Sequence, residues 1–223
     1  MINVKNLCKK YNSRTIIEDF NYSFEDNSLN IIIGKSGSGK TTLLNIIGML
    51  DNKYDGEISI NGDNYKNIKK SDYFRNSFGF VFQNYALIDN YTIFDNLSIP
   101  LNIKKLSKVQ REKSISEVLE KVGLNISQKQ KVYELSGGEK QRIALARVIL
   151  KNPDYIFADE PTGNLDANNA LIIKQLLYDL NKNGKTIFIA THSDIFKENY
   201  DNLINMNKII KDVIILSNTG LNY

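Results

Sequence analysis

Tryptophan is absent from this 223-residue chain, proline occurs three times, and there is one cysteine and one histidine. The tryptophan and proline shortages point to no chemistry. The lone Cys8 does exclude an intrachain disulfide and fits a reducing compartment. No apolar run approaches the roughly 20 residues needed to span a bilayer. Met1 to Lys10 alternates polar and apolar residues without a signal-peptide core. The chain is therefore expected to be cytoplasmic, reaching a membrane only through a partner. No internal repeat or low-complexity linker stands out. A formal charge of +4 neither demands nor excludes an anionic partner.

What is present is an ordinary folded composition, 42% hydrophobic and 24% charged, of a length for one domain or one domain with an inserted lobe. Ile2 to Lys5 and Thr15 to Phe24 alternate as strands, with a turn near Asn12-Ser13. Leu29–Ile33, Gly79–Phe82, Tyr155–Asp159 and Thr186–Ala190 read as buried strands, and Gly56–Gly62 as a strand ending in a turn. Helices are expected over Thr41–Leu50, Ser136–Leu150 and Ala167–Asn181, and a helical lobe over about Thr92–Tyr133. Buried strands alternating with helices predict a mostly parallel α/β sheet covered on both faces. Functional groups then belong at the carboxyl ends of the strands. Thr41, Gln83, Asp159 and His192 all fall at or just after such ends.

The eight residues Gly34, Lys35, Ser36, Gly37, Ser38, Gly39, Lys40 and Thr41 fit G-x-x-x-x-G-K-[ST] between a strand and a helix. Glycines let backbone amides converge on phosphate oxygens, and the helix points its positive end at the same anion. Lys40 is placed to reach the β- and γ-phosphates, the Thr41 hydroxyl to ligate Mg²⁺, and the adjoining Thr42 to bind the nucleotide. Asp159 and Glu160 end a buried strand, so Asp159 is expected to hold the metal and Glu160 to polarise the attacking water. His192 follows the next buried strand and could contact the γ-phosphate and that water. Tyr11, one of 12 tyrosines, lies before the phosphate loop, where it suits an adenine stack or a half-exposed strand position.

Leu135-Ser136-Gly137-Gly138-Glu139-Lys140-Gln141-Arg142 is a second glycine-rich helix start. Capping explains Ser136. It does not explain two bare glycines in the first turn, which suit an approaching anion. The chain already has one phosphate loop, so that anion is expected to be a nucleotide held by a second copy. Lys66, Lys69, Lys70, Lys104, Lys105, Lys108, Arg111 and Lys113 read as solvated helix faces, with lipid headgroups the weaker alternative.

In this order the motifs resemble the nucleotide-binding subunit of ABC transporters over nearly the whole chain. Tyr11 falls at the adenine-stacking aromatic, Gly34–Thr41 at Walker A and Gln83 at the Q-loop. Leu135–Arg142 falls at the signature, with Ser136, Gly137, Gly138 and Gln141 facing ATP on the other copy. Asp159-Glu160 match Walker B with its catalytic glutamate, Asp166 the D-loop and His192 the switch histidine. The resemblance implies a P-loop NTPase core with an N-terminal antiparallel β subdomain and an inserted helical subdomain. The implied core covers about 1–84 and 152–223, and the helical part about 85–151. It also implies ATP and Mg²⁺, the latter on Thr41, Gln83 and Asp159, with Glu160, His192 and Gln83 catalytic. Partners implied are a second copy and a transmembrane permease, not nucleic acid.

Phe82-Gln83-Asn84-Tyr85, Asn96–Pro100 and Ala158–Asp166, with its Pro-Thr-Gly-Asn-Leu-Asp string, resemble one subgroup. It holds the ATPases of macrolide exporters, lipoprotein-release systems and peptide or bacteriocin exporters. Two features depart from the family. Asp26-Asn27-Ser28 stands where a Gly-Glu pair is common, and the tail from Asn205 lacks a glycine turn, for which Asn207 could substitute. Tyr85, Leu87 and Ile88 are candidates either for gripping the permease or for packing the lobe. The alternative function is a soluble ABC-type ATPase acting on nucleic acid or ribosomes, but the chain has neither a tandem cassette nor a heptad insertion. A nucleoside kinase would leave Ser136–Arg142 unused. A GTPase would need Asn-Lys-x-Asp, which Asn181-Lys182-Asn183-Gly184 misses.

Overall fold

The computed structural model describes residues 1–207 and 216–217. Its first layer is an antiparallel sheet of β1 (Ile2–Tyr11), β2 (Arg14–Phe24), β4 (Asp55–Ile60) and β5 (Asp63–Asn64), in the order β2-β1-β4-β5. β1 runs past the expected Lys5 to Tyr11 because it is bulged. Asn6 adopts φ 49° and the register with β2 shifts beyond Val4, so simple alternation breaks while pairing continues.

The second sheet follows the order β10-β9-β3-β8-β7-β6. Its members are β3 (Leu29–Ile33), β6 (Phe78–Val81), β7 (Tyr155–Asp159), β8 (Thr186–Thr191), β9 (Asn202–Asn205) and β10 (Leu216–Ser217). From β9 to β6 all neighbours are parallel. β8 is buried at every position, and the apolar runs of β3 and β7 are buried up to their last residues, as a sheet covered on both faces requires. One apolar cluster, including Phe20, Phe24, Phe157 and Phe188, fills the space between the two sheets. A second joins the other face to α5 (Gly137–Lys151) and α6 (Ala167–Lys182).

A third cluster spans Ile93 to Leu150 and holds α3 (Ile93–Ser98) and α4 (Lys108–Lys121) against α5. The segment expected to be helical over Thr92–Tyr133 is interrupted. Pro100 sits in a 3-10 turn over Ile99–Ile103, and irregular chain follows α4. α1 (Lys40–Ile47) ends before the expected Leu50. Gly48 caps it where a Cβ would lie 2.9 Å from the Phe80 ring, and Met49 takes φ 61°. α2 (Lys70–Asn76) lays Tyr73 and Phe74 on the first cluster.

At the Asp26-Asn27-Ser28 turn, Asn27 takes φ 61°, a conformation that glycine also supplies. Its N–H donates to Thr186 Oγ1 at 2.9 Å. Of the tail expectation, only Asn205–Asn207 and Leu216–Ser217 can be placed; the rest lies outside the described residues. Among the described residues no helix is long and apolar enough to cross a membrane.

Candidate functional site

β3 delivers the chain directly into the glycine loop. Gly37 and Gly39 take φ 75° and 96°. A Cβ on Gly39 would meet Ile16 Cγ2 at 2.5 Å, and one on Gly34 would meet Ser38 Oγ at 2.3 Å. At Gly39 glycine is therefore required by space as well as by backbone angle, and at Gly37 by backbone angle alone. Gly39 caps α1 without a side-chain hydrogen bond, and the buried Ser38 Oγ has no partner. Helix amides without side-chain partners beside an orphaned hydroxyl are what a bound phosphate would satisfy. Ile16, Gly37, Gly39, Lys40, Thr41 and Thr42 line a pocket over this loop. Neighbouring elements brace the loop: Arg14 donates to Gly37 O at 3.3 Å, and Lys35 N–H to Asn207 Oδ1 at 2.9 Å.

Lys40 is only 7% exposed. Its ammonium donates to Gly34 O at 2.9 Å and Lys35 O at 3.3 Å, and lies 3.6 Å from Glu160 Oε1. Thr41 Oγ1 donates to Asp159 Oδ1 at 2.9 Å. Phosphate loop and paired acids, more than 110 residues apart in the chain, thus form one site. Burial pushes the Asp159 carboxyl above its usual range; the Thr41 hydrogen bond opposes this and adjacent Glu160 adds to it. A divalent cation beside Asp159 and the Thr41 hydroxyl would relieve that strain, so the oxygen donor set suits Mg²⁺. Gln83 and Asp159 line one pocket with Phe82, Asn84 and Asn164, so an amide side chain borders the same cavity as the carboxylate.

Glu160 follows β7 with φ 44°, uncommon for a glutamate, and its N–H donates to Ala190 O at 2.8 Å. That turn aims its carboxylate at the end of β8. There Oε1 lies 2.9 Å from His192 Nδ1, and Oε2 accepts from Thr191 Oγ1 at 3.1 Å. Thr191, fully buried, was missed in the sequence; only its place before His192 could have signalled it.

Ser136 caps α5 in a reciprocal box with Glu139: Glu139 N–H donates to Ser136 Oγ at 3.4 Å and Ser136 N–H to Glu139 Oε2 at 2.8 Å. The two glycines have local neighbours that the sequence did not reveal. A Cβ on Gly138 would fall 2.5 Å from the Asn169 side chain, and one on Gly137 would fall 3.0 Å from the Tyr85 hydroxyl. Asn169 also accepts from Arg142 and donates to Asp166, the cap of α6, so it ties Asp166 to the signature helix. Gln141 does not share the exposure of Ser136: it is 1% exposed, with neither amide atom partnered.

Tyr85 and Ala86, just after Gln83, both take positive φ and are held by Arg147, which donates to their carbonyls. Leu87 packs into the third cluster, whereas Ile88 remains 43% exposed. Tyr11, at the end of β1, is 50% exposed; its hydroxyl donates to Asp51 Oδ2 at 3.3 Å.

The ABC transporter family model matches residues 17–163. The lipoprotein-releasing system ATP-binding protein LolD of Francisella tularensis is 40% identical over 203 residues, covering 87% of this chain and 88% of that protein. LolD of Bacteroides fragilis is 37% identical, with 92% and 97% covered. An uncharacterized ABC transporter ATP-binding protein of Methanocaldococcus jannaschii is 37% identical, with 86% and 89% covered. The ATP-binding cassette MJ0796, solved as a dimer in a post-hydrolysis state bound to ADP and Pi, superposes with a TM-score of 0.88 at 33% identity, over 99% of this chain and 100% of that one. Its loop, its paired acids and these relatives agree: the chain is an ATP-hydrolysing cassette and belongs to the ABC transporter family.

Proposed function

We propose that this protein powers a separate membrane permease from the cytoplasmic face, extruding a peptide, bacteriocin, antibiotic or lipoprotein. The observation that carries the reading is the 2.9 Å contact of Thr41 with Asp159, which joins a phosphate loop to paired acids. The LolD relatives, named for lipoprotein release, support extrusion. The dimeric cassette MJ0796 supports a pair of copies, which we read as joined head to tail. In that arrangement the loop amides, Lys40 and Thr41 of one copy grip the triphosphate from one side. Ser136 and the Gly137–Gly138 amides of the other grip it from the opposite side.

The triphosphate replaces Gly34 O and Lys35 O as the partner of Lys40. Thr41, Asp159 and Gln83 would hold Mg²⁺, which when bound neutralises phosphate charge. Glu160 accepts the proton of the attacking water, whose oxygen bonds to phosphorus as the bond to ADP breaks. A positioned base of this kind contributes about 10²–10⁴ in rate. His192, 2.9 Å from that carboxylate, orients it and the water. Tyr11 stacks on the adenine. ATP shifts the pair toward closure only through its higher affinity for the closed state.

The permease seats in the groove of about 350 Å³ between α2, β6, the 3-10 turn and α5. Phe80, Phe82, Ile99 and Ile103 form its apolar lining, and Arg147 and Lys151 its basic edge. Gln83 follows directly from this lining, so a shift of the permease reaches the metal side of the site. The test is ATP turnover by the purified chain with its co-purified membrane protein in lipid, and separately with RNA. Stimulation by the membrane protein alone is expected. Stimulation by RNA alone would replace transport with the nucleic-acid reading.

A further inference from the structure

Lys9 is an unusual lysine. It is 4% exposed on β1 of the antiparallel sheet, and lysines are almost never fully buried unless paired. Its ammonium has three neighbours. Asp51 Oδ2 lies at 2.7 Å, the Lys53 carbonyl accepts at 2.5 Å, and the Tyr11 ring centroid lies 4.7 Å away. Tyr11 is two residues along the same strand, and its hydroxyl donates to the same Asp51 oxygen. Asp51 is fixed in turn by the Lys53 N–H, which donates to Oδ1 at 2.9 Å. Burial pushes the Asp51 carboxyl up, but the Lys9 and Lys53 hydrogen bonds outweigh it and hold it below the usual range. One carboxylate therefore grips both the buried cation and the tyrosine hydroxyl.

This cluster stands beside the phosphate loop. Tyr11 pairs across the hairpin with Arg14, which donates to Gly37 O, and Ile16 packs on Gly39. The buried ammonium lies over one face of the Tyr11 ring, while the residue as a whole stays half-exposed. A cation on one face and a hydrogen bond at the phenol tip fix the plane of an otherwise mobile exposed ring. An aromatic base would meet a ring already in position, so less freedom is lost on binding.

We propose that Lys9 and Asp51 are positioning residues for the nucleotide base: they hold Tyr11 as a preset platform for the adenine ring and thereby set how strongly the site prefers a nucleoside triphosphate to a bare polyphosphate. The proposal rests on the reading of Tyr11 as the adenine stack. Lys9 touches neither the phosphates nor the water, so its effect belongs in nucleotide affinity and KM, with kcat at saturating ATP retained.

The test measures binding of ATP and of inorganic tripolyphosphate to the full chain and to Tyr11→Ala, Lys9→Met, Lys9→Arg and Lys9→Met/Asp51→Asn. The double variant removes the pair without stranding a carboxylate in the partly buried position. Because the chain has no tryptophan, Tyr11→Trp supplies a single tryptophan, excited selectively beyond the tyrosine band, whose quenching by ATP reports stacking directly, with and without Lys9→Met. Loss of Lys9 alone or with Asp51 is expected to weaken ATP binding about three- to tenfold, to leave tripolyphosphate unchanged and to reduce the quenching. Lys9→Arg is expected to restore most of the loss. If Tyr11→Ala binds ATP as tightly as the parent, the stacking role itself fails. If Tyr11→Ala loses the preference for ATP while the folded double variant keeps it, stacking stands and the role of Lys9 and Asp51 is overturned. Equal weakening of ATP and tripolyphosphate would likewise overturn it, as a general disturbance of the loop.

Discussion

Ser136 shows how one side chain can serve two ends. Its hydroxyl caps α5 within this protomer, and its exposed position leaves it available to a nucleotide on another. The hydrogen bonds from Ser136 hold the Glu139 carboxyl below its usual range. A lowered carboxylate contributes stability that is present above the unfolded-state pKa and is lost as pH falls through the folded value. Ser136→Ala is therefore expected to cost about 0.5–2 kcal/mol at neutral pH, the usual loss for a cap. The gap between the two proteins should narrow on acidification below the ordinary glutamate range, leaving the part due to the Glu139 N–H bond to Ser136 Oγ. Urea unfolding at a series of pH values measures it. A gap that does not change with pH would remove Glu139 from the capping account. At this scale the sequence was most legible where spacing alone carries the chemistry. Lys40 and Thr41 can be picked out by their place in the glycine-loop spacing, and Asp159 by its place at a strand end. The left-handed backbone of Glu160 and the burial of Lys9 depend on contacts from distant segments, and no local pattern announces them.

At the scale of elements, α5 and α6 approach closely at Gly138. The Asn169 amide occupies the space a Cβ would need, and its bonds to Arg142 and Asp166 limit how far it can give way. Gly138→Ala gains up to about 1 kcal/mol of helix propensity but introduces overpacking worth about 1–3 kcal/mol. Net destabilisation is expected, with most of it recovered in Gly138→Ala/Asn169→Ser. Thermal unfolding of the three proteins tests this. A single variant as stable as the parent would show that Asn169 yields freely. The two signature glycines were read from the sequence as an anion site alone, because Asn169 and Tyr85 are 31 and 52 positions from Gly138 and Gly137, and only the fold brings them there. The interior of the parallel sheet was readable for the opposite reason, since continuous apolar runs such as Tyr155–Ala158 need no partner to be recognised. Strand ends and helix breaks were less so. The bulge at Asn6 and the stop at Gly48 are set by neighbours packed across the chain.

At the scale of the whole molecule, half of each nucleotide site in the proposed function comes from a second copy. The phosphate-loop pocket is lined by Ile16, Gly37 and Gly39 to Thr42, with none from the signature helix. Glu160→Gln keeps a side chain able to hydrogen-bond Thr191 but cannot accept a proton from water, so it separates ATP binding from turnover. The deciding measurement is the mass in solution of Glu160→Gln with ATP and Mg²⁺, by light scattering after size exclusion, with and without Ser136→Arg in the same chain. A stable dimer is expected for Glu160→Gln, and a monomer that still binds ATP when Ser136→Arg is added. A species that stays monomeric with ATP bound, or a dimer indifferent to Ser136→Arg, would contradict it.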